Sequence, residues 1–157
     1  MIDIIDTHNK KALLYENLIN LSITMSTTDA TLERFVINAL SLDKSIRWVG
    51  LASSEGELLL VRRRKNLVPL MTLEENQEYT LSAISRHKSR LKFQEKIGRL
   101  LYALGKYEKL IRAMVPINDH YYLLITFDIE ESKFDSILLE KVIPLVTKEI
   151  KGLEPEK

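Results

Sequence analysis

The sequence predicts an α+β domain: one antiparallel sheet of five strands, with helices packed on it in the order α–ββ–α–βββ–α. Three observations predict it. The first forty residues carry helical periodicity. Two clusters of short, alternating apolar runs are separated by turn residues. A capped helix lies between those clusters, and another follows the second.

The N-terminal stretch reads as helix. Leu14, Leu18, Leu21, Met25, Thr28, Leu32, Phe35, Ala39 and Leu42 recur at alternating steps of four and three. That is a heptad seam, and it predicts a helix over 9–42. Ser26-Thr27-Thr28-Asp29 favours caps and turns, so residues 24–29 read equally well as continuous helix or as a hinge between two helices. The positions flanking the seam lack complementary charges. Two amphipathic helices packing on their own domain therefore compete with a dimerising or signalling helix built on Leu14, Leu18, Leu21 and Met25.

Ile46, Trp48, Val49 and Leu51 mark a strand over 46–53, and Leu58 to Val61 mark its return over 57–63. Ser54-Glu55-Gly56 makes the turn, where Gly56 is free to take a positive φ. After a loop with Pro69, Thr72-Leu73-Glu74-Glu75 is a T-x-x-E capping box that opens a helix reaching about Arg90. Thr80, Ile84, His87 and Leu91 share one face of it, with Tyr79 and Ala83 beside them. Alternation predicts strands over 99–107 (Leu100, Tyr102, Leu104), 110–117 (Ile111, Ala113, Val115, Ile117) and 121–127 (Tyr121, Leu123, Ile125, Phe127). Asn118-Asp119 suits a tight turn, and Pro116 belongs near the end of its strand. The last helix starts at Ser132 as N-cap and buries Phe134, Ile137, Leu138, Val142, Leu145, Val146 and Ile150. Pro144 should kink it near 140–142, and Gly152 should end it. The chain thus divides into a helical segment over 1–43, an α+β domain over 44–152 and a frayed tail over 153–157.

Composition narrows function. There are no cysteines, which excludes disulfides, thiolate metal sites and a cysteine nucleophile, and fits a reducing cytoplasm. No apolar run approaches a bilayer span, and the acidic start is unlike a signal peptide, so no membrane role is expected. The three histidines are far apart. His8, with Asp3 and Asp6, is a weak metal set at a chain end, and His120 reads as a turn residue. No nucleophile has an identifiable base, and the five glycines form no phosphate-binding cluster. Neither a catalytic residue, nor a metal site, nor a cofactor is expected.

Charge is uneven. Residues 1–61 carry net −3, 62–112 net +8, and 113–157 net −4. Arg62-Arg63-Arg64-Lys65 ends the hairpin, and Arg86, Lys88 and Arg90 close the middle helix. Should these meet in space, they form a patch for an anion, a nucleic acid or an acidic partner. Separately, they are a solvated face or a guard on an edge strand. No recognition helix or interleaved aromatics accompany them, which argues against nucleic acid. Tyr79, His87 and Tyr102 are the polar groups that could wall a small-molecule cavity between sheet and helix.

Over 41–146 the chain resembles a family of small proteins from ammonia-oxidising archaea (Thaumarchaeota), grouped as a domain of unknown function. The resemblance rests on Leu42-Asp43-Lys44-Ser45-Ile46-Arg47, Val49-Gly50-Leu51-Ala52, Leu67-Val68-Pro69-Leu70, Lys96-Ile97-Gly98-Arg99, Tyr107-Glu108-Lys109 and Val115-Pro116-Ile117-Asn118-Asp119. It brings no activity with it. The element order also resembles Roadblock/LC7, longin and profilin-like domains, and more loosely the PAS and GAF sensors. The single well-formed helix between the two strand groups favours the Roadblock side. That resemblance implies a homodimeric scaffold or regulator with a protein partner. The PAS likeness implies a small-molecule sensor instead.

Overall fold

The computed structural model describes residues 27–153 and 155, together with 12, 15 and 16. Helix α1 (Thr27–Leu40) leads into the hairpin β1 (Ile46–Ser53) and β2 (Leu58–Arg63). Helix α2 (Leu73–Arg90) follows, then a 3-10 turn (Leu91–Phe93) and the short helix α3 (Gln94–Ile97). Strands β3 (Ala103–Lys106), β4 (Leu110–Pro116) and β5 (Tyr121–Asp128) come next. The C-terminal helix is assembled from α4 (Phe134–Ile137), a π turn (Leu138–Val142), α5 (Ile143–Glu149) and a 3-10 turn (Ile150–Leu153). The strands form one sheet in the order β2-β1-β5-β4-β3, with every neighbouring pair antiparallel. The expected α+β architecture is therefore the observed one.

Alternation sorts the sheet into two faces. Val49, Leu51, Ile111, Ala113, Val115, Leu123, Ile125 and Phe127 point to one side. There they pack with Leu32, Phe35, Val36 and Ala39 of α1 and with Ile137, Leu138, Val142 and Val146 of the C-terminal helix. Trp48, Ala52, Leu58, Val61, Met114, Tyr122 and Leu124 point to the other side, against Ile84 of α2. Ile46 and Val49 share a face although they are three residues apart, because an irregularity between Ile46 and Trp48 in the β1–β5 register resets the parity.

The second half of the N-terminal seam (Leu32, Phe35, Ala39) is thus spent inside this core, and the boundary drawn at 43/44 runs between a helix and a sheet that share it. Leu14, Leu18, Leu21 and Met25 lie outside the described residues, as does the set of Asp3, Asp6 and His8.

Local chemistry fixes α2. Thr72 Oγ1 accepts from the Glu75 amide at 3.1 Å, and the Thr72 amide donates to Glu75 Oε2 at 3.0 Å, closing the expected capping box. Gln77 then pins the helix to the β1–β2 turn. Its Oε1 accepts from the Leu58 amide, and its Nε2 donates to the Gly56 carbonyl, both at 2.8 Å. Gly56 takes φ +88°, and a Cβ there would stand 2.6 Å from Leu81 Cδ1, so both the turn and the close approach require glycine.

Three expectations need correction. Residues 99–102 are not strand, and β3 begins at Ala103. In this register Ala103 pairs with Met114, so Leu101 would face Pro116, which has no N–H to extend the ladder. Ser132 does not cap the last helix: Lys133 holds the N-cap position without a side-chain bond, and its amide donates instead to Glu131 Oε1 at 2.7 Å. Leu153 is fully buried, so it belongs to the core rather than to a frayed tail. Where Pro144 predicts a kink, near 140–142, the helix makes a π turn over Leu138–Val142, and Pro144 falls in the first turn of the α segment that follows.

Candidate functional site: the sheet face between α2 and β3

Helix α2 lies over β2, β1 and β5 and leaves β3 and part of β4 uncovered. The gap is a groove of about 370 Å³, walled by Tyr79, Arg86, His87 and Arg90 of α2 and by Leu104, Tyr107 and Arg112 from the β3–β4 side. Three of the groove's lining residues, Leu100, Leu104 and Tyr107, stand partly in solvent, and the neighbouring Leu101 is exposed as well. At its base sits Arg112, only 5% exposed.

Arg112 lies on β4, on the opposite face from Ile111 and Ala113. Its guanidinium carbon is 4.2 Å from the Tyr79 ring centre and 5.1 Å from that of Trp48, a stack between helix and sheet. Nη2 donates to Asn76 Oδ1 at 2.9 Å, and Nη1 to Met71 Sδ at 3.2 Å. All of these partners are neutral, and burial pulls the Arg112 pKa below its usual value. Tyr79 and Tyr107 share a hydroxyl–hydroxyl bond of 2.9 Å, and burial followed by that bond pushes Tyr79 up to about 12. His87 presents its ring edge-on to Tyr122, with centroids 5.5 Å apart. Burial first, and the charge of Arg90 second, lower its pKa. Among the described residues, the hydroxyl of fully buried Thr80 has no hydrogen-bond partner.

The structure scatters the basic segment. Arg62 turns to the α1 face and pairs with Glu33. Arg63 sits across the ladder from Trp48, beside a small cleft on the α2 face. Arg64 grips Asp128 through two bonds of 2.9 and 3.1 Å, which raises its pKa, and Arg47 reaches the same carboxylate at 3.3 Å. Lys65 is exposed beyond the strand. Lys88 faces Glu55 at 3.9 Å and belongs to a separate cleft with Arg99, Asn118 and His120. Arg86 and Arg90 alone reach the groove. The single patch expected from 62–92 does not form, because alternation along β2 sends successive arginines to opposite faces.

Of the expected pocket, Tyr79 and His87 meet in the groove. Tyr102 does not join them. It packs against the other core, and its hydroxyl donates to Asp135 Oδ1 at 3.0 Å, a bond that raises its pKa. Sequence reasoning missed Arg112. Its signal was a lone charge between Ile111 and Ala113 in an otherwise apolar strand. Among the described residues, no group of three or more His, Asp or Glu side chains could hold a metal, and no helix is long and apolar enough to cross a membrane.

No protein-family model and no curated protein matches the sequence. Solved structures do match the fold. The gliding protein MglB from Thermus thermophilus superposes with a TM-score of 0.60 at 12% identity, over 82% of this chain and 89% of that one. A structure described as MglB with tetrameric arrangement gives 0.62 at 10% identity, over 82% and 94%. The Roadblock/LC7 domain from Streptomyces avermitilis gives 0.55 at 9% identity, over 73% and 91%. The fold is that of Roadblock/LC7 domains. In this Roadblock-like fold, the groove lies beside β3 at one free edge of the sheet, and the arginine-rich end of β2 lies at the other. These neighbours support the Roadblock side of the topological resemblance and say nothing of the archaeal one.

Proposed function

We propose that the chain is a regulatory protein-interaction module, without catalysis of its own, that works as a cytoplasmic homodimer. One observation carries this reading: the open edge of β3 lies beside exposed Leu100, Leu101, Leu104 and Tyr107. An apolar patch contiguous with an unpaired edge marks an interaction surface. The opposite edge contrasts with it, because β2 ends in charged residues that discourage pairing. A two-fold axis beside β3 would pair the strand with its own copy and bury both patches. The tetrameric arrangement of one MglB structure is in keeping with self-association in this fold.

Native mass spectrometry tests the reading. A dimer with no added mass is expected, and Leu104→Glu should yield a folded monomer. A wild-type chain that stays monomeric at high micromolar concentration would overturn it. A reproducible extra mass on each subunit would replace it with the small-molecule sensor.

A further inference from the structure

A second cleft, of about 550 Å³, is lined by the C-terminal end of α2, the segment leading to β3, and the β1–β2 and β4–β5 turns. Two buried polar rings belong to its wall. His87 is 8% exposed and Tyr122 6%, and they meet edge-on. Among the described residues, neither side chain has a hydrogen-bond partner. Buried polar groups are normally satisfied. The Tyr122 hydroxyl is not sealed from solvent, so its open side is the cleft that the residue lines. Burial first, and the charge of Asp119 second, raise its pKa, so near neutral pH the phenol keeps its proton. Burial keeps the neighbouring His87 imidazole uncharged there, with one N–H to donate.

The charges around these donors are mostly positive. Lys88, Arg99 and His120 line the cleft, and among the described residues Asp119 is the single acid that does. Lys88 is held only by the largely exposed Glu55 at 3.9 Å. Arg99 has no ion-pair partner among the described residues. Such a set suits an anion rather than a metal ion. Two cations and two neutral donors exceed what the two oxygens of a carboxylate can use, whereas a phosphate monoester offers three oxygens and close to two charges. Leu91, Leu100 and Ile150 also line the cleft and give the uncharged part of such a molecule an apolar wall. The volume suits a small organic ligand.

We propose that this cleft binds a small phosphate monoester, with Lys88 and Arg99 neutralising the phosphate and Tyr122 and His87 donating to it. The site does not rest on the homodimer reading. Its ligand exchanges with solution and leaves on desalting, so it adds nothing to the mass of the purified chain.

NMR of the histidine ring protons in the full chain tests it, at constant ionic strength, with inorganic phosphate, glycerol 3-phosphate and ribose 5-phosphate as probes. At least one monoester should shift His87 and His120 saturably, and inorganic phosphate should compete with it. Lys88→Ala and Arg99→Ala, both at exposed positions, should each weaken that binding by more than about tenfold. Tyr122→Phe removes a single hydroxyl and should weaken it by about threefold or more. Lys65→Ala, outside the cleft, should leave it unchanged. Shifts that never saturate with any of the three probes would overturn the site. So would folded Lys88 and Arg99 variants, checked by circular dichroism, that bind as the wild type does. Acetate binding as tightly as the monoester would overturn the choice of phosphate.

Discussion

The two faces of this sheet are built differently. On the α1 side, helices at both ends of the described chain close over the strands, and the core is apolar from Phe35 to Phe127 with its largest members fully buried. On the α2 side a single helix covers part of the sheet, and the contact layer includes Asn76, Thr80, His87 and Arg112, all buried and all polar. The first face is what a small domain needs in order to stay folded. The second tolerates a stacked guanidinium and an unpartnered hydroxyl, which cost stability without adding apolar burial. Such residues suit a surface whose task begins when something else arrives.

The largest effect separating the faces should come from the closed one. Phe127→Ala removes a fully buried ring from the main core, and it should cost about 3–5 kcal/mol in urea unfolding. A cost of only about 1 kcal/mol would mean that this face is loosely packed, and the contrast would fail.

Arg112→Met should behave in the opposite way. The methionine keeps apolar bulk between Trp48 and Tyr79, removes a charge held by neutral partners, and leaves Asn76 Oδ1 and the weakly accepting Met71 Sδ short of a donor. Stability should change by no more than about 1 kcal/mol. The measurement belongs in a Leu104→Glu background, where dimerisation does not contribute to the unfolding free energy. A loss as large as that of Phe127→Ala would make Arg112 a structural anchor and erase the distinction between the faces.

The sequence revealed the closed face more readily than the open one. Odd-numbered residues from Ile111 to Ile117 and from Tyr121 to Phe127 are apolar without exception, and such alternation can be read without knowing what covers it. The T-x-x-E box and Gly56 were legible because capping and positive φ are local demands. The groove was not legible. It depends on where β3 starts, which Pro116 decides from across the ladder, and on which arginines share a face, which strand parity decides. Tyr102 was misplaced for the same reason: outside the strand, alternation no longer governs where its side chain points.

The smallest effect expected is a pH dependence confined to the open face. Burial and Arg90 hold the folded-state pKa of His87 below the ordinary value of 6.5. Between those two values the unfolded chain binds a proton that the folded chain does not, so the unfolding free energy rises with pH. The contribution of His87 is therefore intact above about pH 6.5 and is lost as pH falls below it, until the folded imidazole protonates as well. Asp43 acts in another window. The Ser45 amide is the main cause that lowers it to about 2, with Lys141 helping, so its contribution fades only as pH drops below the ordinary carboxylate value of 3.8. Urea unfolding between about pH 7 and pH 5, again in the Leu104→Glu background, should show a decline that His87→Gln reduces. Parallel curves for the two proteins would mean that His87 titrates alike in the folded and unfolded chains, and that this polar layer is already wet before any partner covers it.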